Sequence, residues 1–215
     1  MRIGVITDTH VGEHLPELPR EALRALRGVD LVIHAGDLSL PGVLGRLEEV
    51  APVVAVRGNH DEDGGGHGLP AMAWVRAGAT TIAVTHGTRG WLTERLGAAS
   101  ALMRRDPHAM GFDRAMLRRG RGADVVVTGH THMPVQRRVG GTLLFSPGAL
   151  YVPESDPWYE WTGPGRRAYR TLRRLVPEEA RRPAVGVLEV RGRAVHAHRI
   201  LLEEPLRGRA GGRAA

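Results

Sequence analysis

The chain has 215 residues, 42% of them hydrophobic, no cysteine, and a formal charge of +7 from 30 basic residues, every one an arginine, against 23 acidic ones. That length closes one substantial core with no compositional break, so a single domain is expected. Disulfides, thiolate ligands and thiol nucleophiles are excluded, and no apolar run approaches the roughly 20 residues of a membrane span, so a cytoplasmic protein without a membrane partner is expected.

Residues 2–7 read as a strand, 19–27 as a helix, 30–34 as a strand, 41–50 as a helix and 53–57 as a strand, an alternation that predicts parallel pairing. Pro41-Gly42 suits a helix start and Gly28 a helix stop. Past the Gly64-Gly65-Gly66 turn the order changes. Residues 71–76 and 80–85 flank Ala77-Gly78-Ala79 as a hairpin, and helical patterns cover 93–105 and 112–119. A strand at 124–128 precedes a pair at 135–139 and 142–145 around Gly140-Gly141, and a last pair lies at 185–190 and 194–201. Parallel early strands with antiparallel late ones predict an α/β fold: two mixed β-sheets packed as a sandwich with flanking helices, four layers in all. The domain is expected over residues 1–206, with a Gly/Arg/Ala-rich disordered tail at 207–215.

Short polar clusters end five of the apolar runs: Asp8-Thr9-His10, Gly36-Asp37, Gly58-Asn59-His60-Asp61, Val84-Thr85-His86-Gly87 and Gly129-His130-Thr131-His132. Strand ends at one sheet edge are where an α/β protein builds a site. Asp8 and His10 are two residues apart, a spacing that points both side chains of an extended segment to one side, and His130 and His132 repeat it. A lone Asp-x-His is a common solvated turn; five such clusters at successive strand ends read as ligands for two metal ions. Asp37 is the candidate bridge, because a carboxylate has two oxygens and can bind one ion with each.

On these stretches the chain resembles the calcineurin-like metallophosphoesterases, in particular the small bacterial and archaeal phosphodiesterase branch. The motifs stand in family order and the resemblance covers roughly residues 1–150 and the terminal strand pair. It implies one ion held by Asp8, His10, Asp37 and His132, and a second by Asp37, Asn59, His86 and His130. Two ions about 3.5–4 Å apart hold a hydroxide that attacks phosphorus in line. His60 is then placed as general acid for the leaving oxygen, with Asp61 orienting its ring; the alternative for His60 is a polar cap on its turn. Mixed imidazole and carboxylate ligation favours divalent transition metals, Mn first, with Fe, Zn, Ni or Co as alternatives. His34 is read either as support behind the ligands or as a buried hydrogen-bonded histidine. His14, His67, His108, His196 and His198 match no motif, and Arg57 and Arg89 flank the site-forming turns.

The chain departs from the family where Ser146-Pro147-Gly148-Ala149 replaces an Asn-Pro-Gly-Ser stretch, and again where residues 150–183 replace a short connection. That insertion carries all three tyrosines and two of the four tryptophans. Its run Pro157-Trp158-Tyr159-Glu160-Trp161 is read as a stacking surface for a nucleobase, a protein interface, or packing against its own domain, with packing or self-association into a homo-oligomer the commoner outcome. Residues 166–176 form an arginine-rich helical pattern. Charge steers phosphate-rich partners, yet an arginine-only composition is as well explained by coding bias, so nucleic acid is weakly supported. The expected function is a metal-dependent phosphoesterase acting on a phosphate ester, a diester before a monoester. The rival is a protein-binding scaffold on the same fold with little or no catalysis.

Overall fold

A computed structural model describes residues 1–61, 68–106, 111–151 and 163–203. The Gly64-Gly65-Gly66 turn, the aromatic run at 157–161 and the tail at 207–215 lie outside the described residues, as do His67 and His108. In chain order the elements are β1 (Arg2–Ile6), α1 (Arg20–Ala25), β2 (Leu31–His34), α2 (Gly42–Glu48), β3 (Val53–Ala55), β4 (Met72–Ala77), β5 (Thr80–Thr85), α3 (Trp91–Arg104), α4 (Phe112–Arg119), β6 (Val125–Val127), β7 (Val135–Val139), β8 (Thr142–Ser146), α5 (Pro164–Arg174), β9 (Ala184–Arg191) and β10 (Ala194–Leu201).

The strands form two mixed five-stranded sheets, ordered β10-β9-β1-β2-β3 and β4-β5-β6-β8-β7. In the first, β1, β2 and β3 run parallel and β9 lies antiparallel to β1. The second corrects the expectation that the late strands are antiparallel. Its hairpins are antiparallel at the edges, but β5, β6 and β8 pair parallel. The local signal shows only the hairpins, because a parallel pair is made by crossovers that leave no trace in a short window.

Period-two alternation sorts the strand residues between layers. Ile3, Val5, Ile33, Ile82, Val84, Val125, Val127 and Phe145 meet between the sheets. Ile6 and Val32 instead face α1 and α2 through Leu26, Val43 and Leu47. On the far side Ala83, Val126 and Leu144 pack on Phe112 and Met116 of α4. The result is the predicted four-layer sandwich, with each sheet covered on its outer face.

The arginine-rich pattern becomes α5, and it is not simply a solvated face. Leu172 and Tyr169 pack with Ala98, Ala101 and Leu102 of α3 and with Met133, just beyond β6. Arg173 is 1% exposed, and its Nη1 donates to the His132 carbonyl (3.5 Å) and to the Tyr169 hydroxyl (3.4 Å). Half of the insertion therefore braces the turn that carries His130 and His132.

Candidate metal centre

The turns that leave β1, β2, β3, β5 and β6 converge at one edge of the sandwich. The first two are laced together by backbone: Asp8 N–H donates to Gly36 O (3.0 Å), and Thr9 and His10 N–H to Asp37 O (3.0 and 3.1 Å). Asp8, His10, Asp37, His130 and His132 all adopt positive φ, between 45° and 72°. Non-glycine residues avoid that region because Cβ crowds the following carbonyl, at about 1–2 kcal/mol each. Five predicted ligands share the strain, so the aim of their side chains comes from left-handed kinks at the strand ends and not from the period-two spacing expected for Asp8 and His10.

The geometry brings four of the predicted residues into one cluster. Ligand atoms of Asp8, His10, Asp37 and His132 all lie within 4.8 Å of one another. His132 Nε2 is 3.3 Å from Asp8 Oδ1 and 3.3 Å from His10 Nε2. Asp37 Oδ2 lies 3.4 Å from His10 Nε2 and 3.2 Å from His86 Nε2. The sharing differs from the expected one oxygen per ion: Oδ1 accepts from the His60 N–H at 2.9 Å, and Oδ2 alone faces both histidines. Asn59 and His130 meet beside this, His130 Nδ1 standing 3.0 Å from Asn59 Oδ1, which also accepts from the Thr88 hydroxyl at 3.2 Å.

Outer nitrogens fix which ring atom points inward. His10 Nδ1 is tied to Glu13 (3.1 Å), His86 Nδ1–H donates to Ala35 O (2.8 Å), and His132 Nδ1 meets the Tyr151 hydroxyl (3.1 Å). His130 is turned the other way, its Nε2 held by Glu94 at 3.1 Å, and Arg89 grips Glu94 in turn at 2.8 Å. Such outer partners orient metal-binding imidazoles. The donor set fits an ion on its own chemistry: the buried His86 Nε2 makes no hydrogen bond, and two inward ring nitrogens face each other across 3.3 Å. Groups placed so leave inward-facing donor sites open.

Electrostatics follow the crowding. Burial works to lower the His10 pKa, yet the Asp37 and Glu13 carboxylates outweigh it and raise it to about 9. Burial likewise works against His86, and Asp37 and Asp8 hold it above the ordinary value. Burial would raise Asp37, but His10 and His86 take it well below the carboxylate range. Burial drives Asp8 up and His132 well down.

The catalytic expectations fare differently. His60 stands at the rim, its side chain 45% exposed and its ring 4.6 Å from that of His10. Asp61 does not orient it. Its oxygens accept from the backbone N–H groups of Asp37 (2.9 Å), Leu38 (2.7 Å), Ser39 (3.0 Å) and Gly58 (2.7 Å), knitting the turn after β2 to the turn after β3. Glu13 takes the role instead, 3.0 Å from His60 Nδ1. Sequence reasoning missed Glu13, Glu94 and Tyr151; only Glu13, three residues past His10, left a local signal. His34 lies behind the ligands, its Nδ1 accepting from Gly36 N–H (3.1 Å) and its Nε2 meeting Thr9 Oγ1 (3.2 Å). His14, given no role, stacks on Tyr151 with centroids 4.6 Å apart.

Beside Asn59 and His86 a cavity of about 310 Å³ is lined by Arg57, Thr88 and Arg119. Arg119 donates to the Thr88 carbonyl at 2.7 Å, and among the described residues no carboxylate pairs with it or with Arg57.

Residues 1–159 match the family model described as the calcineurin-like phosphoesterase superfamily domain. A probable metallophosphoesterase of Methanothermobacter thermautotrophicus is 34% identical over 158 residues, covering 73% of this chain and 82% of the relative. A phosphodiesterase of Methanocaldococcus jannaschii is 27% identical over 151 residues, or 69% and 83% of the two chains. Among solved structures, the zinc complex of Vps29 from Entamoeba histolytica superposes with a TM-score of 0.59 at 22% identity, over 94% of this chain and 99% of that one.

Proposed function

Because the chain belongs to the calcineurin-like phosphoesterase superfamily, we propose that it is a metal-dependent phosphodiesterase with two divalent transition-metal ions and His60 as proton donor. The observation that carries this reading is the convergence of the His10 and His86 ring nitrogens on Asp37 Oδ2, with the His132 nitrogen against Asp8 Oδ1 and each of the three rings anchored by its outer nitrogen. Asp8, His10, Asp37 and His132 would hold one ion, and Asp37, Asn59, His86 and His130 the other. Nitrogen and oxygen donors together suit Mn, with Fe, Zn, Ni or Co as alternatives. When bound, such ions polarise phosphoryl oxygens and make water a nucleophile near neutral pH.

The remaining work falls to the chain's own groups. The exposed His60 ring, its Nδ1 3.0 Å from Glu13 Oε2, would give a proton to the departing oxygen. Arg57 and Arg119, which pair with no carboxylate among the described residues, make the neighbouring cavity electropositive, which favours an anionic ester. A second reading, a protein-binding subunit with little catalysis, is favoured by exposed apolar side chains on α3, where Leu92 is 55%, Leu96 63% and Met103 82% exposed.

The deciding experiment is hydrolysis of bis-p-nitrophenyl phosphate beside p-nitrophenyl phosphate by metal-stripped protein given Mn²⁺, with Asp37→Ala as control. Turnover that requires both metal and Asp37, and favours the diester, is expected. No turnover with Mn²⁺, Ni²⁺, Co²⁺ or Zn²⁺ would overturn the enzymatic reading in favour of the scaffold.

A further inference from the structure

On the other side of His130 from Asn59, α3 and α5 enclose a cleft of about 260 Å³. Its walls are Arg95 and Ala98 of α3, Tyr169 and Leu172 of α5, Thr131 and Met133, while His130 and Glu94 stand at its border with the metal centre. Most of the polar groups around it are engaged, the Thr131 hydroxyl accepting from Met133 N–H at 3.4 Å and the Arg95 guanidinium lying over the Trp91 ring at 5.1 Å. Tyr169 donates its hydroxyl proton to Thr131 O at 3.3 Å, Arg173 reaches beneath to His132 O, and Glu94 is held between Arg89 and His130. What faces an occupant is chiefly a methyl group, a thioether, an isobutyl group and a phenol ring.

The geometry points to this cleft as the seat of an aromatic ester arm of the substrate. The inference rests on the phosphodiester reading and adds the class of diester. His130 forms the partition: its Nδ1 side belongs to the metal centre and its Nε2 side to the cleft, so a diester whose phosphorus lies at the centre has one arm within reach of it. A sugar-like arm would lose the hydration of its hydroxyl groups against walls that are mostly apolar, an expensive exchange. A planar ring loses only apolar hydration and gains contacts with a Met sulfur and an aromatic face. The size suits one ring better than an extended chain. Since Tyr169 and Leu172 come from the insertion, this gives the described half of that segment a role in substrate choice.

The test uses the metal-loaded full chain and two esters with the same leaving group, bis-p-nitrophenyl phosphate and methyl p-nitrophenyl phosphate. Expressed relative to their rates in alkaline water, kcat/KM should favour the diaryl ester by roughly tenfold or more. Ala98→Leu, which fills the cleft, and the milder Ala98→Ser, which makes its wall polar, should both shrink that ratio. A ratio near unity in the wild type, or one that neither substitution moves, would overturn the inference while leaving the phosphodiesterase reading intact. Calorimetric binding of diphenyl phosphate against dimethyl phosphate needs no turnover. Equal affinities would overturn the cleft assignment, and tighter diphenyl phosphate binding without hydrolysis of either ester would support the cleft while removing the phosphodiesterase.

Discussion

Glu13 illustrates how much of the site depends on one carboxylate. One oxygen, Oε2, lies 3.1 Å from His10 Nδ1 and 3.0 Å from His60 Nδ1, and the hydrogen bond from His10 is the main reason its pKa falls to about 2. It therefore couples a proposed metal ligand, His10, to the proposed proton donor, His60. Replacing His60 by Ala should lower kcat for the diester by about 10²–10⁴-fold, the usual worth of a general acid. Glu13→Gln, which keeps the shape and loses the charge, should cost roughly tenfold, because the rings stay in place with a weaker acceptor. Steady-state rates at saturating metal decide both, and wild-type turnover in His60→Ala would remove it from the mechanism. His34 governs a different property. Burial lowers its pKa to about 4, so it is neutral in the fold and protonates near 6.5 in the unfolded chain. The unfolded state binds the extra proton between these values, so the stability that neutral His34 contributes is complete above about 6.5 and is lost as pH falls toward 4, by roughly 3 kcal/mol. Urea melts of the wild type should weaken over that window, and His34→Gln should flatten the slope.

At the scale of elements, the site depends on turns that must come very close. A Cβ on Gly58 would collide with Asp37 Oδ1, and one on Gly129 with the Thr7 hydroxyl. The two turns carrying Asp37 and Asn59 meet only because residue 58 has no side chain. Gly58→Ala should push Asp37 off position, raising the metal concentration needed for half-maximal activity by about tenfold or more, with a stability loss of about 1–3 kcal/mol from overpacking. Gly45→Ala supplies the contrast: nothing lies within 4 Å of its Cβ, and within α2 it should stabilise by about 0.4–1 kcal/mol. Metal titration of activity together with thermal melts separates the two. These turns also mark what the sequence could and could not say. The strand ends and their Asp, Asn and His residues were legible because apolar alternation stops abruptly at each polar cluster. The left-handed kinks were not, since Asp and His seldom adopt them and only lacing between turns enforces them. Asp61 looked like a partner for its neighbour His60, and only the folded turn shows it accepting four backbone donors. Glu94 and Tyr151 reach His130 and His132 across the fold, 36 and 19 residues away in sequence, where no local pattern signals the contact.

For the whole molecule, the proposed ligands divide between the sheets. Asp8, His10, Asp37 and Asn59 follow strands of the first sheet, and His86, His130 and His132 follow strands of the second. Elsewhere the sheets are joined chiefly by apolar packing, through residues such as Phe145, whose ring lies against the position of Gly186 so closely that a Cβ there would clash, with a few hydrogen bonds such as Gln136 to Ala197 O (2.9 Å) and Arg138 to Val195 O (2.7 Å). Ions bound by both sets would pin the two sheet edges together where that core gives way to the buried Asp8 and Asp37. An ion that binds only the folded state stabilises it by RT ln(1 + [L]/Kd), about 2.7 kcal/mol at a hundredfold excess over Kd. For a chain of this size each kcal/mol moves Tm by about 2–4 °C. Mn²⁺ added to metal-stripped protein should therefore raise Tm by roughly 5–10 °C. Asp37→Ala removes a carboxylate oxygen that faces histidines from both sheets, His10 and His86, and should abolish most of the increment. Differential scanning calorimetry with and without a chelator measures it. An unchanged Tm in the wild type would mean that the cluster does not bind Mn²⁺, and an unchanged increment in Asp37→Ala would mean that the ions bind elsewhere.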